Sequence, residues 1–498
     1  MNKYVSGEEG QAYYPYFLMH LQNTLKEKGI ELHFVFFSGS MKASAYRTNN
    51  HFYDPAEFNG MSKDEIQDEA QRIERDYAFT LKQAWFPDIL QTSIFKRDLI
   101  PDFLQIFKIH SERKIIVPED ELNDLEPLIK KFLYLENLIE SEKIDVIFSD
   151  QSAEAEMEFG RAIGFKYNIP VLKAYEGSFL GRSVLMQHTE FGEDHLIDAS
   201  INQDYTLDEA GKFLDDYTKN EGQPSYIGAK KLKLNRTIFE RFSAKLKIEK
   251  HRILLLPFKL AYQAFIDLCL WFESAVLKQS LYDRFDPSKP YLFLGFHLNQ
   301  ESTMALRSMP YVNQTALIEM LSRVLPYGYT LYVREHPHWP KTYPYSYLKK
   351  CKAYPNVRLL SPNISIHDVL KGSRGVIVYN SNTGVEALMH GKPVLSFASN
   401  IYYKLHPAVI HCTNLYGLGK KLSQLINIRV DRNDTLKYLQ KMQHVSSDIL
   451  MGAEMFISED DAKEKANQYS QILIKGINIV TNEVASRGVD SIHAEAVE

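Results

Sequence analysis

Three observations predict an α/β chain built from two doubly wound domains. Short β-prone runs alternate with helix-length segments from residue 1 to about residue 215, and the alternation resumes from Tyr291, a pattern that yields parallel sheets covered by helices. At 498 residues, 45% of them hydrophobic, the chain is too long for a single core. Several apolar runs end in a polar turn or a charged cluster, as strands do where open α/β sheets bind ligands.

The elements follow in order. Residues 1–215 form the N-terminal domain: a strand at Lys3–Ser6, a helix from Tyr14 to Lys28, strands at Leu32–Phe37 and Ile144–Phe148, a helix containing Glu154 to Ile163, and a strand at Val171–Ala174. Residues 216–285 are a basic helical linker. Within it, Gly228 to Arg252 holds nine Lys or Arg residues against Glu240 and Glu249, interleaved with Leu232, Phe239, Phe242 and Leu246. That pattern suits either a basic amphipathic element on a membrane surface or a solvated helix pair bridging two domains. The apolar stretch Ile253 to Phe272 follows, but Pro257, Lys259 and Asp267 interrupt it, and charge at a bilayer centre costs about 2.5 to 3.5 kcal/mol per residue. It is not expected to span a membrane.

The second domain, residues 286–430, takes strands from Tyr291–His297, Tyr329–Arg334, Val357–Leu360, Val376–Tyr379 and Val394–Phe397. Residues 431–480 read as amphipathic helices packing back across the junction. From Asn482 the apolar period lapses, so 481–498 is expected to be a mobile tail.

Chemistry concentrates at three strand ends. Val376–Tyr379 delivers the chain to Asn380-Ser381-Asn382-Thr383-Gly384, which opens a helix near Val385, and Gly391-Lys392-Pro393 stops that helix. Backbone N–H groups and hydroxyls at such a turn face an anion. Leu331–Arg334 runs into Glu335-His336-Pro337, where the proline holds His336 extended. The first strand of the second domain runs into Phe296-His-Leu-Asn-Gln-Glu-Ser-Thr303.

These segments, clearest over roughly residues 290 to 405, resemble the capsular polysaccharide biosynthesis and export family. Its members include β-Kdo transferases with the GT-B fold, in which two Rossmann-like domains face a central cleft. The shared pattern is Gln-x-Glu-Ser-Thr, then Glu-His-Pro, then Asn-Ser-x-Thr-Gly-x-Glu-Ala-Leu-x-x-Gly-Lys-Pro-Val. Asn299-Gln300-Glu301 departs from the Gln-Pro-Glu type expected there. The resemblance implies an inverting glycosyltransferase of bacterial surface glycans that uses a nucleotide sugar, most plausibly CMP-linked Kdo or a related sugar. In CMP-sugar transferases a His-Pro motif and a Ser/Thr motif contact the cytidine phosphate. That role passes to His336, Pro337, Ser381 and Thr383, with Glu335, Asn380, Asn382 and Gly384 beside them at the nucleotide.

An imidazole and turn donors stabilise a departing phosphate without a metal. Glu386 lies one helical turn on and is expected to bind a ribose, to secure the turn, or to complement the helix N-terminus. Gln300 and Glu301 are expected near the donor sugar, where Ser302 and Thr303 equally suit a helix cap. Tyr402 and Tyr403 either border the nucleotide or belong to the core. The base that takes the acceptor proton is expected from the first domain. Asp150, after Ile144–Phe148, is the first candidate, Glu176 the rival, and Glu8 and Glu9 stand behind them, although an acid after a strand is also a common cap.

No metal or cofactor is expected, since no Asp-x-Asp stands where a divalent ion would bridge a diphosphate. Cys269, Cys351 and Cys412 lack metal-ligand spacing. A net charge of −5 argues against general nucleic-acid binding. Met1–Glu9 turns polar within a few residues, so no signal peptide is expected and the chain reads as cytoplasmic, with peripheral contact at the inner membrane. The expected partners are the nucleotide-sugar donor and a glycan or glycolipid acceptor. A UDP-sugar transferase or epimerase, or a non-catalytic capsule assembly or export protein, are the alternatives.

Overall fold

The computed structural model describes residues 13–36, 50–82, 84, 121–149, 155–179, 182–188, 195–198, 204–219, 265, 268–269, 271–297, 311, 313–336, 343, 345–379, 381–397, 405–412, 414–447 and 458–495. Two α/β units emerge, each with parallel strands and flanking helices, in agreement with the fold class read from the sequence.

The C-terminal unit contains β7 (Tyr291–Gly295), β8 (Thr330–Arg334), β9 (Val357–Leu360), β10 (Gly375–Val378), β11 (Val394–Ser396) and β12 (Val409–His411). All neighbours pair in parallel, in the order β9-β8-β7-β10-β11-β12. Numbered within the unit this is 3-2-1-4-5-6, the doubly wound order of dinucleotide-binding folds. Both sheet faces are apolar because helices cover both. Tyr291 and Phe293 enter one core with Val376 and Val378, while Leu292 and Leu294 enter the other with Leu331, Val333 and Ile377.

The N-terminal unit is mixed. β3 (Ile147–Ser149) and β4 (Val171–Phe179) are parallel across α4 (Ala155–Lys166). β4 then turns antiparallel into β5 (Arg182–Gln187), which carries β6 (His195–Leu196). A separate parallel pair, β1 (Phe34–Phe36) and β2 (Asn50–Phe52), lies beside α3 (Glu121–Ser141). Helix α2 (Lys63–Asp76) begins in a capping box, Ser62 Oγ accepting the Glu65 N–H while Glu65 accepts the Ser62 N–H.

The chain's two ends meet. Helix α1 (Tyr14–Lys26) buries Phe17, Leu18, Leu21 and Leu25 against Ala462, Ala466, Tyr469 and Leu473 of α12 (Glu459–Glu495). α12 continues to Glu495, past Asn482 where a mobile tail is expected; no proline interrupts that stretch. Before it, α11 (Arg432–Val445) packs Tyr438, Leu439, Met442 and Val445 on Ala210, Leu214 and Tyr217 of α5 (Leu207–Lys219). β13 (Ser446–Ser447) then joins the edge of β5, where Arg182 Nε donates to Ser446 Oγ at 2.7 Å and a second guanidinium nitrogen donates to Ser446 O. C-terminal residues thereby complete the N-terminal sheet.

Helix α4 sits tightly on β3 and β4 at Gly164. A Cβ added there would lie 2.4 Å from Val171 Cγ2 and 3.0 Å from the Ile169 carbonyl oxygen. Gly164→Ala is therefore expected to lower stability by about 1–3 kcal/mol, the usual cost of overpacking, read as a shifted urea midpoint; an unchanged midpoint would show that helix and strand are not held this close.

Candidate functional site

The strand order reverses between β7 and β10, with β7, β8 and β10 adjacent there, and open α/β sheets bind ligands in the crevice beyond the carboxyl ends of strands at such a point. Each of the three motifs read from the sequence follows one of these strands. Asp150, Gln300, Glu301, Pro337 and Asn380 lie outside the described residues, as do Glu8, Glu9, Tyr402, Tyr403, Ser302, Thr303 and the basic segment Gly228–Arg252.

At the end of β10, Ser381 Oγ accepts the Thr383 N–H at 3.1 Å, and Ser381 O accepts the Gly384 N–H at 2.9 Å. The Ser381 hydroxyl hydrogen stays free to donate while its oxygen is engaged. Ser381, Asn382 and Thr383 are half-buried, whereas Gly384 to Met389 are buried. Helix α9 (Thr383–Met389) has only seven residues, too few for a large macrodipole, and the Thr383 and Gly384 N–H groups are engaged within the turn, which leaves its side-chain hydroxyls as the chief donors. Gly391, at φ 67, ends the helix left-handed, as Gly391-Lys392-Pro393 predicts.

His336, just past β8, is half-buried, but Glu335 is fully buried. One Glu335 oxygen accepts from Lys278 Nζ at 2.9 Å and the other from the Tyr282 hydroxyl at 2.5 Å. Burial pushes the Glu335 carboxyl up, and Lys278 and Tyr282 oppose it by favouring the charge. Removing one partner of such a pair typically costs about 3–5 kcal/mol. Glu335 thus anchors the backbone that leads into His336. The preceding Arg334 donates to Pro362 O at 2.8 Å, while its Nε has no hydrogen-bond partner among the described residues. Burial lowers its pKa to about 10, against the attraction of Glu386.

Glu386 is buried beneath the turn, close to Tyr217 and facing Arg334; burial raises its pKa to about 7 against the attraction of Arg334. Tyr217 belongs to α5, which packs on α9 in a shared apolar core. Tyr217 also packs edge-on to His367, 5.8 Å between centroids, and His367 Nδ1 lies 2.9 Å from His390 Nε2.

Past β7, His297 is clamped by its backbone: Gln314 Oε1 accepts its N–H, and its carbonyl accepts from Gln314 Nε2 and from the Tyr343 hydroxyl. Part of its surface is accessible, yet the atoms packed around the ring push its pKa down to about 4, and it is neutral at pH 7. Its ring meets Tyr379 edge-on at 5.5 Å.

In the first unit, β4 runs on to Phe179, so Glu176 lies inside the strand rather than beyond it. Pairing with β5 sustains the strand there, and its register shifts between Tyr175 and Phe179. Asp150 immediately follows β3 in sequence. Sequence reasoning missed Arg334, Tyr217, Lys278, Tyr282 and His297 as parts of this site. Arg334 and His297 adjoin the motifs and were within reach of it, whereas nothing local marks the other three.

A second surface lies upstream of β7. Phe265, Leu268, Trp271 and Phe272 are helical, and Glu273–Leu277 continues as a π-helical turn. Leu268 and Trp271 are 61% and 57% exposed, and Phe265, Phe272 and Val276 are exposed too, while Glu273 and Lys278 are buried. Polar-out, apolar-in is inverted here. Among the described residues no helix is long and apolar enough to cross a membrane.

Residues 246–405 match the model of a family described as capsule polysaccharide biosynthesis protein, which bears out the resemblance read from the motifs. No curated protein matches the chain. Among solved structures, the chain is similar to a Thermosulfurimonas dismutans KpsC β-Kdo 2,4 transferase at 13% identity and a TM-score of 0.32, over 63% of this chain and 87% of that one. It is likewise similar to the KpsC β-Kdo 2,7 transferase of that organism, at 15% identity and 0.29 over 63% and 85%. A third is the UDP-GlcNAc 2-epimerase of Methanocaldococcus jannaschii, at 14% and 0.25 over 64% and 81%. Likeness at these scores bears on neither substrate nor residue roles.

The raised pKa of Glu386 sets a pH dependence. Its folded value, about 7, exceeds the ordinary 4.5, so its stabilising contribution is full below about pH 4.5 and is lost as pH rises through 7. Between pH 5 and 8 the melting temperature of wild type should fall more than that of Glu386→Gln; parallel curves would contradict this assignment.

Proposed function

We propose that this chain is an inverting glycosyltransferase of bacterial capsule or surface polysaccharide biosynthesis, moving Kdo or a related sugar from its CMP conjugate to a glycan or glycolipid acceptor. The observation that supports the reading is that His336 follows β8 and the Ser381–Gly384 turn follows β10, the two strands flanking β7 in a 3-2-1-4-5-6 parallel sheet, within the segment that matches the capsule family. The nucleotide binds there, with Glu335, Pro337, Asn380, Asn382 and Glu386 forming or supporting its pocket and Gln300 and Glu301 near the sugar.

In the reaction an acceptor hydroxyl oxygen bonds to the anomeric carbon from the face opposite CMP. The bond from that carbon to the phosphate oxygen breaks, and CMP leaves with the electron pair. Asp150 takes the acceptor proton, with Glu176 the rival base. His336 and the hydroxyls of Ser381 and Thr383 stabilise the charge growing on the phosphate. CMP carries a single phosphate, so this donor set meets the leaving group's charge without a bridging ion.

Calorimetry with CMP, UDP and GDP tests the donor assignment. CMP should bind selectively, and His336→Ala should weaken it at least tenfold, about 1.4 kcal/mol. Preference for UDP would favour a UDP-sugar transferase or epimerase, and binding of none would favour a non-catalytic assembly protein.

We also propose that the chain works at the cytoplasmic face of the inner membrane, where the exposed apolar side chains between Phe265 and Val276 contact lipid. A run of large exposed apolar groups marks an interaction surface, and Trp271 suits the headgroup boundary. The basic run that precedes it in sequence supports attraction to anionic lipid, at about 1 kcal/mol per cation near the surface. The full chain should co-sediment with vesicles containing phosphatidylglycerol more than with pure phosphatidylcholine, and Leu268→Glu with Trp271→Glu should abolish this. Undiminished sedimentation of that double variant would remove the surface from the account.

A further inference from the structure

Away from the crevice, His33, His51 and Glu142 converge from three separate stretches of chain, their ligating atoms all within 4.8 Å of one another. The strand geometry explains the two histidines. Val35 of β1 pairs with His51 of β2, and His33 precedes Val35 by two residues, on the same side of the pleat. The imidazoles are therefore diagonal neighbours. Their rings stack at 5.3 Å between centroids, tilted by only 9°, and His33 Nδ1 lies 3.0 Å from His51 Nε2. Val35 packs into the same cluster as Ile144 and Ile147, which turns this face toward the C-terminal end of α3, where Glu142 supplies the carboxylate.

We propose that His33, His51 and Glu142 bind one borderline divalent cation, Zn2+ by preference, that clips the β1–β2 pair to the end of α3. Two imidazole nitrogens and one carboxylate oxygen are a recurrent zinc donor set, which leaves a fourth position for water. Imidazole ligands favour zinc and its transition-metal neighbours over Mg2+ and Ca2+, which take oxygen. All three residues are half-buried or exposed, so an ion reaches them without unfolding. Its role is structural, and the crevice chemistry does not pass through it.

Cross-linking two strands to a distant helix should register as ligand-linked stability. The full chain, stripped with chelator, is titrated with Zn2+ and with Mg2+ by calorimetry and melted with and without zinc. One tight zinc equivalent and a raised melting temperature are expected, with no comparable response to Mg2+. His33→Ala and His51→Ala should each weaken that equivalent at least tenfold and abolish the rise, and Glu142→Gln should weaken it several-fold. Stripped variants should melt with stripped wild type; His51→Gln serves where the alanine variant melts early. Absence of a tight equivalent in wild type, or its survival in the His33→Ala, His51→Ala double variant, would overturn the proposal and leave only a hydrogen bond between the two imidazoles.

Discussion

A parallel sheet covered on both faces confines polar chemistry to the ends of its strands, and the C-terminal unit is organised by that constraint. Along β7 each residue from Tyr291 to Leu294 enters one of two apolar cores, so an ionisable group within the strand would lie buried without a partner. The exceptions stand just past the strands: His297 after β7, Glu335 and His336 after β8, Ser381 to Thr383 after β10. Helices lie on both faces, and strand order reverses between β7 and β10. The crevice that reversal leaves is where these groups can meet a ligand.

The charges that must be buried there are each matched. Lys278 and Tyr282 hold Glu335, and Arg334 attracts Glu386. The two clusters differ in reach. The first lies within the C-terminal unit and stiffens the backbone at His336. Beside the second, α5 of the N-terminal unit packs on α9 and α11 in one apolar core, and β13 joins β5.

Much of this was legible in the chain because the signals are local. Continuous apolar runs marked β7 to β11 within a few residues, and polar residues at their ends marked the crevice. The Gly391-Lys392-Pro393 stop worked as its backbone chemistry requires. Features that depend on distant partners were not legible. Ser446–Ser447 has no apolar period and becomes a strand only because the β5 edge offers it hydrogen bonds. Glu176 looked like a residue beyond its strand because the antiparallel pairing that prolongs β4 comes from Arg182–Gln187. Glu335 reads as a ligand contact in its motif, and only the fold brings Lys278, 57 residues upstream, to its carboxylate. His33 and His51 are unremarkable in sequence, and parallel pairing alone makes them neighbours.

The central claim is that a cytidine nucleotide lies in the crevice between the ends of β7 and β10. A crystal structure of the full chain soaked with CMP tests it most directly. The account predicts the phosphate against Ser381, Thr383 and His336, with no ligand density in the N-terminal unit. Ordered CMP held elsewhere, with this turn and His336 left uncontacted, would contradict it.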